Sequence, residues 1–342
     1  MKGSLRSVGI VGSGAVAPLH LRAYRELGVE VRALLAIDHQ QADALCAEQG
    51  ISPQRVRDLD GLVAAGCDFF DVMVPPQQQP EIVTRLCGGR RPILCEKPLA
   101  LELATAAALV RTAARSDVPL GVAHNQLFYG PHARAREMIA SNAIGEARLL
   151  RMHLVGFHHA HTAWKQRLQE RGGMIWDDGI HRLYTAQSLF GRIERVHARG
   201  QRDLAGPGTG WAGTVHLRFA GGQMGVWDFS YALGGGTFYD DSLAIIGTRG
   251  AISINGAFGQ PWRSPAFAVR TDDVWREERV GCDWQTSFVE LIRHFIEAAE
   301  SGQESERMGG QAALSTIAAA EAVERSLREE REIEVERTFA RS

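Results

Sequence analysis

Short apolar runs alternate with amphipathic stretches through the first third of the chain. Val8 to Val11 is apolar and ends at Gly12, and Ala15 to Leu27 follows with apolar residues at helical spacing. Val31 to Ile37 is the next apolar run. It ends at Asp38, and an Ala/Gln/Glu stretch of helical character leads on to Gly50. Phe69 to Val74, Pro92 to Cys95 and Leu120 to Ala123 are further strand candidates, with helices expected over Glu81 to Leu86 and Leu101 to Arg115. Strands buried on both faces read as continuous apolar runs, and strands that alternate with helices form a parallel sheet. The pattern predicts an α/β domain over residues 1–123, a doubly wound parallel sheet of Rossmann type.

Beyond His124 the rhythm changes. Pro131 to Ser141 is expected to be helical, Ala147 to Phe157 a long strand, and Met174 to Leu189 a helix closed by Gly191. In the β-like text from Val196 to Val269, Val215, Leu217 and Phe219 alternate with His216, Arg218 and Ala220, the period of a half-buried strand. Gly221-Gly222 then predicts a hairpin turn before Met224 to Phe229. Two helices, about Gln285 to Glu300 and Gln311 to Arg328, end the chain. Residues 124–342 are therefore expected to form an α+β domain with a large, mainly antiparallel open sheet.

The chain has 342 residues, enough for two domains, and its net charge is −2. That balance gives no electrostatic footprint for nucleic acid or an acidic membrane surface. No apolar run reaches the ~20 residues of a membrane span. The chain start has no apolar stretch of the length a signal peptide needs, so the cytoplasm is the expected compartment. Five cysteines (Cys46, Cys67, Cys87, Cys95 and Cys282) lack zinc or redox-motif spacing and are expected to be reduced.

Gly12-Ser13-Gly14-Ala15-Val16-Ala17 stands between a strand and a helix, the context in which G-x-G-x-x-A marks a dinucleotide site. Gly12 permits the tight turn, Gly14 lets the backbone approach a pyrophosphate, and Ala17 lets helix and strand pack closely. Asp38 lies 24 positions after Gly14. A carboxylate there accepts from an adenosine ribose and repels a 2′-phosphate, so NAD is expected ahead of NADP; Arg32, His39 or a remote Arg could serve a phosphate instead. A helix-capping role for Asp38 is compatible with this. Ligands of open α/β sheets bind beyond the strand C-termini. Lys97 stands at such an end, and Val74, Pro75, Pro76, Glu96, Lys97 and Asn125 are the further expected cofactor contacts.

Cys95-Glu96-Lys97-Pro98-Leu99, taken with the glycine turn and the segment Gly173 to His181, resembles the Gfo/Idh/MocA family of oxidoreductases, which includes glucose-fructose oxidoreductase and inositol dehydrogenase. The resemblance extends to Asn142 to Glu146, Gly247 to Gly250 and Ala318 to Arg328. Gln77-Gln78-Gln79 and Leu127-Phe128 depart from the family pattern. The resemblance implies a sugar, inositol or related polyol as substrate, a homodimer or homotetramer built through the second sheet, and a cis Lys97-Pro98 bond.

Lys97, at a strand C-terminus, can bond the reacting oxygen and stabilise negative charge there. Asp177 and His181 are four apart on an expected helix and so share a face. By resemblance, His181 is the acid/base residue, and Asp177 binds substrate hydroxyls or tunes His181; the adjacent Asp178 is an alternative partner. His124 and Trp164 are further expected substrate contacts. His158, His159 and His161 read as a specificity loop or a plain surface loop, and no metal is expected. Two other functions are weighed: an enzyme that retains NAD and oxidises a sugar only transiently before elimination, and a non-catalytic dinucleotide sensor, which has no need of Lys97, Asp177 and His181 together.

Overall fold

In the computed structural model, residues 4–156, 173–204, 210–230, 239–255, 267–281 and 283–337 are described. The described residues divide into two compact units that are not contiguous in sequence: those up to 128 with 285–314, and those from 129 to 284 with those from 315 on.

The first unit holds strands β1 (Ser7–Val11), β2 (Glu30–Leu35), β3 (Gln54–Arg55), β4 (Phe69–Val72), β5 (Ile93–Glu96) and β6 (Leu120–Ala123). Helices α1 (Ala17–Leu27), α2 (His39–Gln49), α3 (Leu59–Ala64), α4 (Gln79–Cys87) and α5 (Leu103–Arg115) connect them. The strands pair in parallel in the order β3-β2-β1-β4-β5-β6, a doubly wound sheet. Every residue of β1, β4, β5 and β6 is buried, as strands covered on both faces require. The short β3 and α3 have no expectation in the sequence reading. The register brings the C-termini level: Val11 pairs with Leu35 and Val72, Val72 with Cys95, and Glu96 with Ala123. One edge of the sheet thus presents Asp38, Gly12, Met73-Val74, Lys97 and His124 in succession.

In the second unit, β7 (Ala147–Gly156), β8 (Ile193–Arg202), β9 (Trp211–Phe219), β10 (Met224–Ser230), β11 (Tyr239–Gly247), β12 (Ala251–Asn255), β13 (Phe267–Thr271), β14 (Val274–Glu277) and β15 (Ile333–Glu334) form a nine-stranded sheet, β14-β13-β12-β11-β7-β10-β9-β8-β15. It is antiparallel except between β10 and β7. The expected hairpin forms at Gly221-Gly222, where Gly222 takes φ 85°, the Phe219 N–H donates to the Gln223 carbonyl at 3.0 Å and the Gly222 N–H to the Phe219 carbonyl at 2.9 Å. One sheet face is core: Leu150, Met152, Leu154, Trp227, Phe229, Leu243 and Ile245 are buried. Helices α6 (Gly130–Ala140) and α7 (Gly179–Phe190) belong to this unit. Helix α8 (Trp284–Ser301) falls almost wholly in the first unit, where Phe295 packs against Gly121 of β6 and Phe69 of β4. Helix α9 (Gly310–Glu329) completes the set.

The helix expected from Met174 is shorter than its apolar spacing suggests. A 3-10 turn spans Gly173–Ile175, and the α-helix begins only at Gly179, with Asp178 as its N-cap. Gly179 opens the helix in a confined place: a side chain there would stand 2.6 Å from the Trp227 ring and 3.0 Å from the Met174 carbonyl.

Candidate active site

The glycine turn follows β1. Gly12 takes φ 106°, and a Cβ there would lie 2.4 Å from the Met73 carbonyl oxygen, so strand and turn meet only without a side chain. Gly14 differs: a Cβ on it would meet nothing within 4 Å. The space above Gly14 is open, and no side chain caps the N-terminus of α1 at Val16. Open space over a helix N-terminus, bordered by main chain, fits a phosphate group. Gly12, Ser13, Gly14, Ala15 and Val16 line this turn, and Ser13 Oγ donates to Gln41 Oε1 at 3.3 Å.

Asp38 is exposed and caps α2, its Oδ1 accepting from the Gln41 amide at 2.9 Å. Gln41 therefore joins the glycine turn to the Asp38 corner. Sequence reading missed it, although Asp-x-x-Gln before a helix resembles a capping box. Arg32 turns to its own strand: its guanidinium donates to Glu30 Oε2 at 2.8 and 3.2 Å and to the Gly66 carbonyl at 2.7 Å.

Beyond β4, Met73 and Pro76 are buried and Val74 and Pro75 half-buried. Gln79, fully buried, donates to the Val74 carbonyl at 3.0 Å and fixes this corner from the start of α4. It is one of the glutamines that depart from the family pattern, and here it braces the loop. Glu96 ends β5 buried, and its Oε2 accepts from the Lys97 amide at 3.0 Å. The Lys97-Pro98 bond is cis, and Lys97 is half-buried. His124 follows β6 and is buried; burial, joined by the nearby Lys97 charge, holds its imidazole well below the usual histidine range, so it is neutral. Asn125 Nδ2 donates to Ser287 Oγ of α8 at 2.9 Å.

A second set of groups, absent from the sequence reading, lies beneath this edge. His20 of α1 sits between Asp71 Oδ2, at 2.7 Å, and Glu96 Oε1, at 3.1 Å, and Tyr24 Oη donates to Asp71 Oδ2 at 2.6 Å. The acid within the apolar run Phe69 to Val74 was the available signal, because a buried carboxylate requires partners.

In the second unit, Asp177 and His181 are both buried. Asp177 lies in the turn before α7 and His181 in its first turn, so the expected single helical face carrying both is replaced by a turn-to-helix junction. Trp176 Nε1 donates to Glu324 Oε2 of α9 at 3.1 Å, which anchors that junction. Next to His181, the buried Arg182 forms an ion pair with Asp241 of β11. Burial pushes the Asp241 carboxyl up against the opposing pull of Arg182, to about 6. Tyr184 is buried. Trp164, His158, His159 and His161 lie outside the described residues. Among the described residues, no three His, Cys, Asp or Glu side chains are grouped to hold a metal ion, and no helix is long and apolar enough to cross a membrane.

Comparison with known proteins follows the same two-part division. Residues 6–124 match the oxidoreductase family with NAD-binding Rossmann fold, and residues 132–253 match the GFO/IDH/MocA C-terminal domain. A D-apiose dehydrogenase of Rhizobium rhizogenes is 26% identical, covering 95% of this chain and 96% of its own length. An inositol 2-dehydrogenase of Rhizobium meliloti is 25% identical, over 96% of this chain and 98% of its own. An oxidoreductase from Agrobacterium radiobacter, solved in complex with NAD+, L-tartaric acid and magnesium, is 25% identical with a TM-score of 0.84, covering 97% of this chain and 99% of that one. Both matched segments stand in order along one chain, and the first carries the open glycine turn on a parallel sheet: the chain belongs to the Gfo/Idh/MocA family of NAD-binding oxidoreductases.

Proposed function

We propose that the protein is a dehydrogenase that transfers a hydride between nicotinamide and a secondary hydroxyl, or its ketone, on a sugar, inositol or related polyol. The observation that carries this reading is Lys97 on the same sheet edge as the open glycine turn, with a neutral His124 beside it. Gly12 to Val16 hold the pyrophosphate, Asp38 the adenosine ribose, and Val74, Pro75, Pro76, Glu96 and Asn125 the nicotinamide side. Bound there, the nicotinamide supplies the hydride chemistry. Lys97 bonds the reacting oxygen and stabilises its developing negative charge. His181 takes or returns the hydroxyl proton, a task suited to an imidazole near neutrality, and Asp177 binds neighbouring hydroxyls or tunes His181. His124 and Trp164 complete the substrate contacts.

NAD is favoured over NADP. Asp38 opposes a 2′-phosphate, and Arg32, one of the local groups that could serve one, is engaged by Glu30 and Gly66. Residues 1–123 serve as the cofactor domain, and residues 124–342 serve substrate binding and association into a homodimer or homotetramer through the open sheet face. Relatives named for inositol and D-apiose support the substrate class.

The test is Lys97→Ala. NADH binding, followed by fluorescence titration, should stay close to wild type, while turnover of the polyol that the wild type oxidises should fall by at least about a hundredfold. Normal turnover would remove Lys97 from the chemistry. Substrate conversion without net NADH would favour the retained-cofactor mechanism.

A further inference from the structure

A chain of buried polar contacts runs from α1 to Lys97. Tyr24 Oη and His20 Nδ1 both donate to Asp71 Oδ2, His20 Nε2 donates to Glu96 Oε1, and Glu96 Oε2 accepts the Lys97 amide. Tyr24, His20 and Asp71 have no exposed surface, and Glu96 is 8% exposed. An ionised carboxylate only accepts, so a ring held between two of them carries a proton on both nitrogens. Burial works against that charge; the Asp71 and Glu96 carboxylates outweigh it and lift the His20 pKa to about 10. The groups facing the ring are Asp71 from β4, Glu96 from β5, Tyr24 from α1 and, from α8, the Phe288 ring with its centroid 5.3 Å away.

Stability alone gives this arrangement little reason to exist, because buried ion pairs replaced by packed apolar groups are often neutral or better. Its position is more telling. His20 lies in the first turn of α1, directly after the glycine turn, and Glu96 holds the peptide of Lys97.

We propose that His20 is a positioning residue: through Glu96 it holds the Lys97 main chain, and with it the Lys97 ammonium, in register with the glycine turn at the head of α1. This rests on the reading of Lys97 given above. Active groups gain their precision from supporting contacts of this kind, and small misplacements are costly.

Lysine is rare in this chain: Lys2, Lys97 and Lys165 are its only three. Competitive acetylation with acetic anhydride across pH, read by peptide mass spectrometry, therefore reports the Lys97 amine against Lys2 in the same molecule. In His20→Gln, the Lys97/Lys2 labelling ratio or its pH midpoint should move, the ratio by about threefold or more, while NADH affinity stays within about twofold. In Glu96→Gln the same shift is expected. The double variant should shift no further than the larger single one, because the two residues act along one path. A lowered melting temperature with an unchanged labelling profile in the folded protein would mean a merely structural histidine and would overturn the proposal. So would shifts in the two single variants that simply add. If His20→Gln does not fold, Glu96→Gln decides alone: an unchanged profile there also overturns it. Lys97→Ala separates the two claims. Normal turnover in that variant sinks the Lys97 reading itself, whereas loss of turnover beside an unmoved labelling profile in His20→Gln sinks only the role of His20.

Discussion

Asp38 carries two demands on one carboxylate. Its Oδ1 caps α2 through the Gln41 amide, and the proposed ribose contact needs the same side chain. Asp38→Ser separates them, since serine caps helices about as well as aspartate. The melting temperature should hold while NADH affinity falls roughly ten- to a hundredfold, the worth of a hydrogen bond to a charged group. Discrimination against NADPH should shrink with it. Unchanged affinity by fluorescence titration would leave Asp38 as a cap alone. The cap was legible in the sequence, because Asp38 ends an apolar run and precedes a helical one, and the proposed ribose contact rests on that same position. The buried His20 was not: it reads as one more residue of an amphipathic helix, and the partners that give it meaning lie 51 and 76 positions away.

The turn after β1 shows how local sequence fixes an element. Gly12→Ala would place a methyl group against the Met73 carbonyl at a positive φ. It should destabilise the protein by about 1–3 kcal/mol, read from the denaturant midpoint, and impair cofactor binding as the turn shifts. Helix α1, which follows the turn, makes a pH-dependent contribution through His20. His20 titrates at about 10 in the folded protein, against an ordinary value of 6.5. Its contribution is therefore fully present below about 6.5 and is lost as pH rises through about 10. The stability gap between wild type and His20→Gln should narrow as urea midpoints are taken from pH 7 toward 10, and a gap that widens would reverse the sign. The parallel strands were readable because continuous apolar runs leave little choice of burial. The start of α7 was not, because its apolar spacing continues back through Met174, whereas the helix begins only at Gly179.

The second sheet keeps one face open. Along β7, Leu150, Met152 and Leu154 are buried while Arg151 is exposed and His153 and Val155 half-exposed, and Met224 on neighbouring β10 is 61% exposed. Association of subunits through this face is part of the proposed function. Val226→Lys, in the middle of the face opposite Arg151 and His216, should shift the assembly toward monomer in analytical ultracentrifugation; a wild type that sediments as a monomer at micromolar concentration would contradict the assembly. Two patterns, strand–helix alternation and then period-two strands, made both folds readable from sequence. The return of Gln285–Leu314 to the first unit was not, because nothing in an amphipathic helix names the sheet it will cover.

The most direct measurement is the absorbance of reduced nicotinamide, with purified protein, NAD or NADP, and a panel of sugars, inositols and sugar acids. NADH should accumulate with at least one polyol, faster with NAD than with NADP, and the signal should vanish in Lys97→Ala while that variant still binds NADH. Accumulation that survives in Lys97→Ala, or a protein that binds NADH yet reduces NAD with no member of the panel, would contradict the proposed function.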